Sequence, residues 1–294
     1  MKIAEIQPQL FAEFSRILQA RRLSHAYLFS GGFGGFEMAL WLSQAIFCEN
    51  PVNALPCGIC RACRLVENQE FADLHIIEPE GQMIKTAQIR ELTEVFSESG
   101  YEGVQKVVLI REAEKMHQNA ANALLKSIEE PESEIYIFLL TDNENLILPT
   151  IKSRTQVVNF PKNIQYLQEF LEKNEILKTQ AELLAHICNS TDEALKLAQA
   201  NWFLEGLNRL EQFVKLLTNS SNEAFLYLTS LSETFDDKEK QKIAFDLILQ
   251  LFNQEKLVEE IQKTFYAMKM WRSNVRFESC LAYIVLEKKE RSAR

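Results

Sequence analysis

The sequence predicts an α/β domain built on a doubly wound parallel sheet, followed by an all-helical remainder. Three observations predict it. Short apolar runs alternate with stretches of helical period over about the first 160 residues. Two of the runs, Lys106 to Ile110 (KVVLI) and Ile135 to Leu140 (IYIFLL), are nearly continuous in apolar character, as strands of a sheet covered on both faces are. After Pro161 the strand-like runs stop, and the chain reads as helices to its last residues.

In chain order, residues 1 to 22 form an amphipathic lead-in. Phe11, Phe14, Ile17 and Leu18 fall at helical spacing, with Arg16, Arg21 and Arg22 on the polar side. The central stretch follows: a buried strand (Ala26 to Ser30), a turn rich in glycine (Gly31, Gly32, Gly34, Gly35), then a helix from about Phe36 that carries Leu40, Trp41, Ala45 and Ile46 toward a core. His25, at the strand entrance, either lines a pocket or makes an ordinary hydrogen bond. Strand, glycine loop and helix are the context of a phosphate-binding loop, whose backbone N–H groups and helix N-terminus face the phosphates. In a G-x-x-x-x-G-K-[ST] frame starting at Gly31, however, Phe36 stands in the last glycine slot, Glu37 in the lysine slot and Met38 in the hydroxyl slot. Glu37 repels a triphosphate, Met38 cannot ligate Mg²⁺, and the Phe36 ring stands where backbone should approach the ligand. The stretch is therefore either a nucleotide-binding scaffold stripped of its chemistry, with weak or no ATP binding, or a plain glycine turn.

The most specific local signal comes next: Cys48, Cys57, Cys60 and Cys63, spaced C-x8-C-x2-C-x2-C. Four thiolates so close in sequence can surround one Zn²⁺ tetrahedrally, and a closed set of four sulfurs is structural rather than catalytic. Gly58 lets the chain turn between ligands, and Arg61 and Arg64 can offset the excess negative charge. Disulfides are disfavoured in a cytoplasmic chain. A ferredoxin-type run needs its next cysteine three residues on with a proline, where this chain has Glu67 and Asn68. Cys188 and Cys280, in apolar helical runs, read as packing residues.

Leu74 to Glu78 is a second strand, and Ile84 to Glu98 a helix with Ile89, Leu92, Val95 and Phe96 on its apolar face. The strand 106–110 ends in Arg111, a cation where a hydrolysing NTPase places the aspartate that supports Mg²⁺. Asn119 to Glu130 is a helix stopped by Pro131; Leu146 to Lys152 is a short turn or helix, followed by Ser153-Arg154-Thr155 and a strand from Gln156 to Phe160. Beyond Pro161, Ile164 to Asn174, Ile176 to Cys188 and Asp192 to Ala200 read as short helices. Longer ones cover Trp202 to Leu217, Glu223 to Phe235, Lys238 to about Met270, and Phe277 to Glu290. Leu247, Leu251, Leu257, Val258, Ile261 and Phe265 mark a broad apolar stripe, most of it expected in the core and the rest available to a neighbouring subunit.

The totals bound the function. The 294 residues, 47% hydrophobic and 25% charged, suit a soluble chain of two or three domains. A net charge of −9 argues against a surface that binds DNA throughout. No apolar run reaches the roughly 18 residues of a membrane span, and the N-terminal stretch has acids but no signal core, so a cytoplasmic protein is expected.

SHAYLFSG at 24–31, the cysteine insert after the first sheet-flanking helix, NALLKSIEEP at 122–131 and LPTIKSRT at 148–155 together resemble the bacterial DNA polymerase III clamp-loader ATPases. The resemblance covers residues 1 to about 200 by motif. It implies an AAA+ module over 1–162 with a zinc insert at 48–63, a small helical lid over 163–203, and a helical collar over 204–294 that assembles a pentamer. It implies gamma/tau and delta subunits as partners, and through the complex the sliding clamp and primer–template DNA. Gamma/tau members keep a working nucleotide site; another branch often does not and serves as a stator, and the loop here resembles that branch. In the family, a Ser-Arg-Cys motif sets an arginine against the ATP of the next subunit. The match, Ser153-Arg154-Thr155, keeps the arginine and lacks the cysteine, so Arg154 is the candidate arginine finger. The family's lid motif G-S-x-R-D-A-L matches residues 189–195, where Asp192 replaces the arginine. Two other readings remain: an active gamma/tau-like ATPase with an unusual site, which purified protein would reveal by releasing phosphate, and a zinc-containing DNA-binding module, which salt-dependent binding of bare DNA would reveal.

Overall fold

The structure, a computed structural model, describes residues 2–97, 105–129 and 134–286. The chain divides into two compact units, Met1–Tyr166 and Leu167–Arg294.

In the first unit, α1 (Lys2–Ile6) and α2 (Pro8–Gln19) lead into β1 (Ala26–Ser30). Then come α3 (Gly35–Phe47), α4 (Arg61–Glu67), β2 (Leu74–Ile77), α5 (Thr86–Ser97), β3 (Gln105–Ile110), α6 (Gln118–Glu129), β4 (Glu134–Thr141), α7 (Pro149–Lys152) and β5 (Gln156–Asn159). Among the described residues the five strands are all parallel, in the order β2-β3-β4-β1-β5. Strand alternation splits the β1 side chains between two cores. Ala26 and Leu28 join Val108, Ile137, Ile89, Leu124 and Ile128 on the face covered by α5 and α6. Tyr27 and Phe29 face the other way into an aromatic cluster with Phe14 of α2, Phe138 and Phe160. Burial on both faces is what the unbroken apolar runs of β3 and β4 require.

Along α3 the buried side chains are Met38, Ala39, Trp41, Leu42 and Ser43, while Leu40, Ala45 and Ile46 are only half-buried. The expected face is thus corrected at three of its four positions, because α3 packs against α1 and α4 as well as the sheet. Ile89 and Leu92 of α5 are buried as expected; the side chains of Val95 and Phe96, and residues Glu98, Glu130, Pro131 and Glu290, lie outside the described residues.

The second unit is helical. It takes in the expected lid and collar together, and most of α8 (Ile164–Lys173), which begins in the first unit. It continues with α9 (Lys178–Ile187), α10 (Thr191–Ala198), α11 (Asn201–Asn219), α12 (Ser221–Leu226), α13 (Leu228–Thr234), α14 (Lys238–Gln254), α15 (Val258–Arg272) and α16 (Phe277–Leu286). Two predicted long helices are each split. Glu223 to Phe235 breaks at Tyr227 into α12 and α13. The run from Lys238 to Met270 breaks at residues 255–257, where Lys256 takes φ +57° and the Leu257 N–H bonds the Phe252 carbonyl at 2.9 Å, a Schellman-type C-cap. That break shifts the helical register. Leu247 and Leu251 are buried, but on α15 Glu260, Thr264 and Ala267 face inward, leaving Leu257 and Ile261 half-buried and Val258 and Phe265 exposed. Cys188 and Cys280 are buried packing residues. No helix among the described residues is long and apolar enough to cross a membrane.

Candidate functional site

Register explains what surrounds the glycine loop. Ser30 pairs with Thr141 on one side and Asn159 on the other, so the residues after β1, β4 and β5 emerge together at the C-terminal edge of the sheet, where open α/β sheets bind ligands. Asp142 is thereby delivered to the loop: a Cβ placed on Gly32 would fall 2.3 Å from Asp142 Oδ1. The carboxylate stands against the backbone that a phosphate would approach. Sequence reasoning did not single out Asp142; its place right after the apolar run of β4 was the available signal.

The loop's other side is covered by α1. Gly34 takes φ +80° as N-cap of α3, and a Cβ there would lie 2.7 Å from Ile6 Cγ2. Only glycine suits both the dihedral and the approach. Gln7, 5% exposed, donates through Nε2 to the Phe33 carbonyl at 2.9 Å and the Pro161 carbonyl at 2.6 Å. Asn163 Nδ2 donates to the Ile6 carbonyl at 3.0 Å. The loop thus serves as the seat of the N-terminal helix.

The side chains in the phosphate and metal slots make contacts of their own. Met38 is fully buried in the core. Glu37 lies in the first turn of α3 and is half-buried. Ile77 pairs with Ile110, which brings Glu78 beside Arg111; the guanidinium bonds the Glu78 carboxylate at 2.5 Å and lies 4.7 Å from the centroid of the Phe36 ring. Phe36 and Arg111, read separately in the sequence, are therefore one contact. His25 sits at the opposite end of β1, its Nε2 3.0 Å from the Ile128 carbonyl, a hydrogen-bonded strand-entrance residue away from the loop. Asp192 occupies the exposed first turn of α10 in the second unit.

At the far end of α3 the four cysteines converge. The Sγ atoms of Cys48, Cys57, Cys60 and Cys63 all lie within 4.8 Å of one another. Gly58 turns the chain between them with φ +72°. The Cys57 N–H points at Cys48 Sγ (3.3 Å), Cys60 N–H at Cys57 Sγ (3.4 Å) and Cys63 N–H at Cys60 Sγ (3.4 Å). The backbone bonds to Cys48 and Cys57 favour a thiolate. Backbone N–H groups of Ile59 and Cys60 hold the Cys57 thiol down at about 6, whereas burial pushes Cys63 and Cys48 up. Thiolates packed this closely need a cation, and the all-sulfur donor set fits Zn²⁺. Arg61 and Arg64 are exposed on α4 beside the cluster.

Arg154 follows α7. Its Nε donates to Glu129 Oε1 at the end of α6, and its Nη1 reaches the Thr150 carbonyl at 3.1 Å and Ser153 Oγ at 3.2 Å. Its neighbour Thr155 bonds the Ile151 carbonyl through Oγ1 at 3.0 Å.

Comparison with known proteins gives this arrangement its context. Residues 6–164 match the family described as DNA polymerase III, delta subunit. The chain is 33% identical over 267 residues to the DNA polymerase III subunit delta' of Bacillus subtilis, covering 86% of this chain and 81% of that one. The subunit delta' of Pseudomonas aeruginosa is 38% identical over 157 residues, 52% of this chain and 48% of the relative. That of Escherichia coli is 33% identical over 207 residues, covering 66% and 62%. The fold is similar to that of a DNA polymerase III gamma subunit-related protein from Thermotoga maritima, with a TM-score of 0.52 at 20% identity over 93% of this chain and 96% of the other. This places the five-stranded sheet and its helices in the AAA+ fold class. By the family match over residues 6–164 and the likeness to these relatives along most of its length, the chain belongs to the DNA polymerase III delta-prime family.

Proposed function

We propose that this chain is the non-hydrolysing subunit of a bacterial replicative clamp loader, the stator of a ring that places a sliding clamp on primed DNA. Its partners are gamma/tau and delta subunits, and the clamp and primer–template DNA are reached through the complex. The observation that carries this reading is the glycine loop. Two acids, Glu37 and Asp142, flank it; its hydroxyl slot is the buried Met38; and α1 covers Gly34. A triphosphate meets repulsion from these acids, and the hydroxyl that would hold its Mg²⁺ is missing. Arg111 at the metal-support position and Asp192 at the lid position add to this. Residues 163–203 act as the lid, 204–294 as the collar, and the cysteines hold a structural zinc.

Arg154 is lent to the ATP of the adjacent subunit, where an arginine stabilises charge developing on the γ-phosphoryl oxygens, an effect worth roughly 10³ to 10⁵ in other NTPases. The test is reconstitution. Arg154→Ala leaves assembly intact and lowers the clamp- and DNA-stimulated ATPase of the loader at least tenfold; an unchanged rate removes the finger. Purified chain that turns over ATP by itself removes the stator reading.

A further inference from the structure

We propose that Glu129 is the positioning residue for Arg154, holding its guanidinium in the orientation that meets a triphosphate on the neighbouring subunit; this rests on the finger reading given above. Glu129 is the last residue of α6, at the negative end of that helix's dipole. A carboxylate is disfavoured there unless a cation answers it, and Arg154 is that cation. The guanidinium is held by three bonds to three separate groups. Nε donates to Glu129, and Nη1 to the Thr150 carbonyl and to Ser153 Oγ. Of five N–H donors in a rigid plane, these bonds take the Nε edge and Nη1. Nη2 has no partner among the described residues, and the side chain stays 40% exposed. The other two contacts, to the Thr150 carbonyl in α7 and to the Ser153 hydroxyl just after it, move with Arg154. Glu129, on a different element, is what references the guanidinium to the body of the domain. Such a half-exposed pair adds little to stability, so its removal leaves the fold standing while freeing a long side chain with many rotamers. Pre-organisation of this kind is where positional errors of about 1 Å cost rate.

The experiment uses the loader reconstituted from the full chain with its ATPase subunits, clamp and primed DNA, and reads kcat and KM for ATP separately. Glu129→Ala is expected to lower kcat about tenfold with KM within about twofold, and to leave assembly by gel filtration unchanged. Glu129→Gln keeps an acceptor oxygen for Nε and is expected to retain most of the rate. In the Arg154→Ala background, Glu129→Ala is expected to add nothing, since the two act as one unit. An unchanged or raised kcat in Glu129→Ala, while Arg154→Ala is slow, overturns the positioning role and leaves the finger standing. A further loss in the Arg154→Ala background also overturns it. An unchanged rate in Arg154→Ala itself removes the finger, and the role of Glu129 with it.

Discussion

The two ends of α3 teach opposite lessons from one helix. At its N-terminus the backbone has the shape of an anion site, a strand, a glycine turn and a helix dipole pointing outward. The side chains around it cancel that shape: Glu37 and Asp142 supply negative charge, and Ile6 and Gln7 take up the free side of the turn. Beyond its C-terminus the backbone is irregular from Cys48 to the start of α4, yet four sulfurs meet within 4.8 Å and backbone N–H groups point at three of them. On the proposed function, a familiar backbone makes no site when the donors are wrong, and convergent donors make one where the backbone is largely irregular.

This contrast can be broken at either end. The largest effect belongs to the cysteine end. Cys60→Ser, or treatment with a strong chelator, is expected to remove one zinc per chain and unfold residues 48–63, on an energy scale bounded by the ~10–16 kcal/mol seen for structural zinc peptides. Zinc content by atomic absorption together with the melting temperature reads it; a chain without zinc and with an unshifted melt ends the metal assignment. Next comes Met38→Thr, which restores a hydroxyl to the glycine loop frame. Because Met38 is fully buried, the change leaves a cavity and an unpaired hydroxyl, and is expected to cost about 2–4 kcal/mol in urea unfolding with no magnesium–ATP heat in calorimetry. Micromolar binding by that variant would mean the pocket is open after all. The smallest effect is Glu37→Lys. It replaces an acid in the first turn of α3, losing about 0.5 kcal/mol of dipole interaction, and is expected still to bind no magnesium–ATP because Asp142 and α1 remain in place.

Much of the site was legible before any coordinates. The four cysteines, the three altered slots of the loop, Arg111 and Arg154 are one-dimensional signals, because spacing along the chain limits which groups can meet or which chemistry a motif can support. The strands were legible for the same reason: burial on both faces of a parallel sheet writes apolar runs such as KVVLI into the sequence. The helical half was less so. The break at Lys256 lies in a polar stretch, Asn253-Gln254-Glu255-Lys256, without glycine or proline, so nothing local announces the left-handed residue that ends α14 and resets the buried face of α15.

By itself, then, the sequence determined which chemistry the chain can carry: four soft metal ligands, one arginine beside a short helix, and a glycine turn lacking the lysine and hydroxyl a triphosphate requires. Tertiary structure alone decided who stands next to whom. Strand register brought Asp142 to Gly32 and Glu78 to Arg111, α1 was laid over Gly34, and the end of α6 was brought to Arg154. The physical reason is that these partners are 25 to 110 residues apart. Contacts at that separation are chosen by how the sheet orders its strands, and no local pattern of side chains records that order.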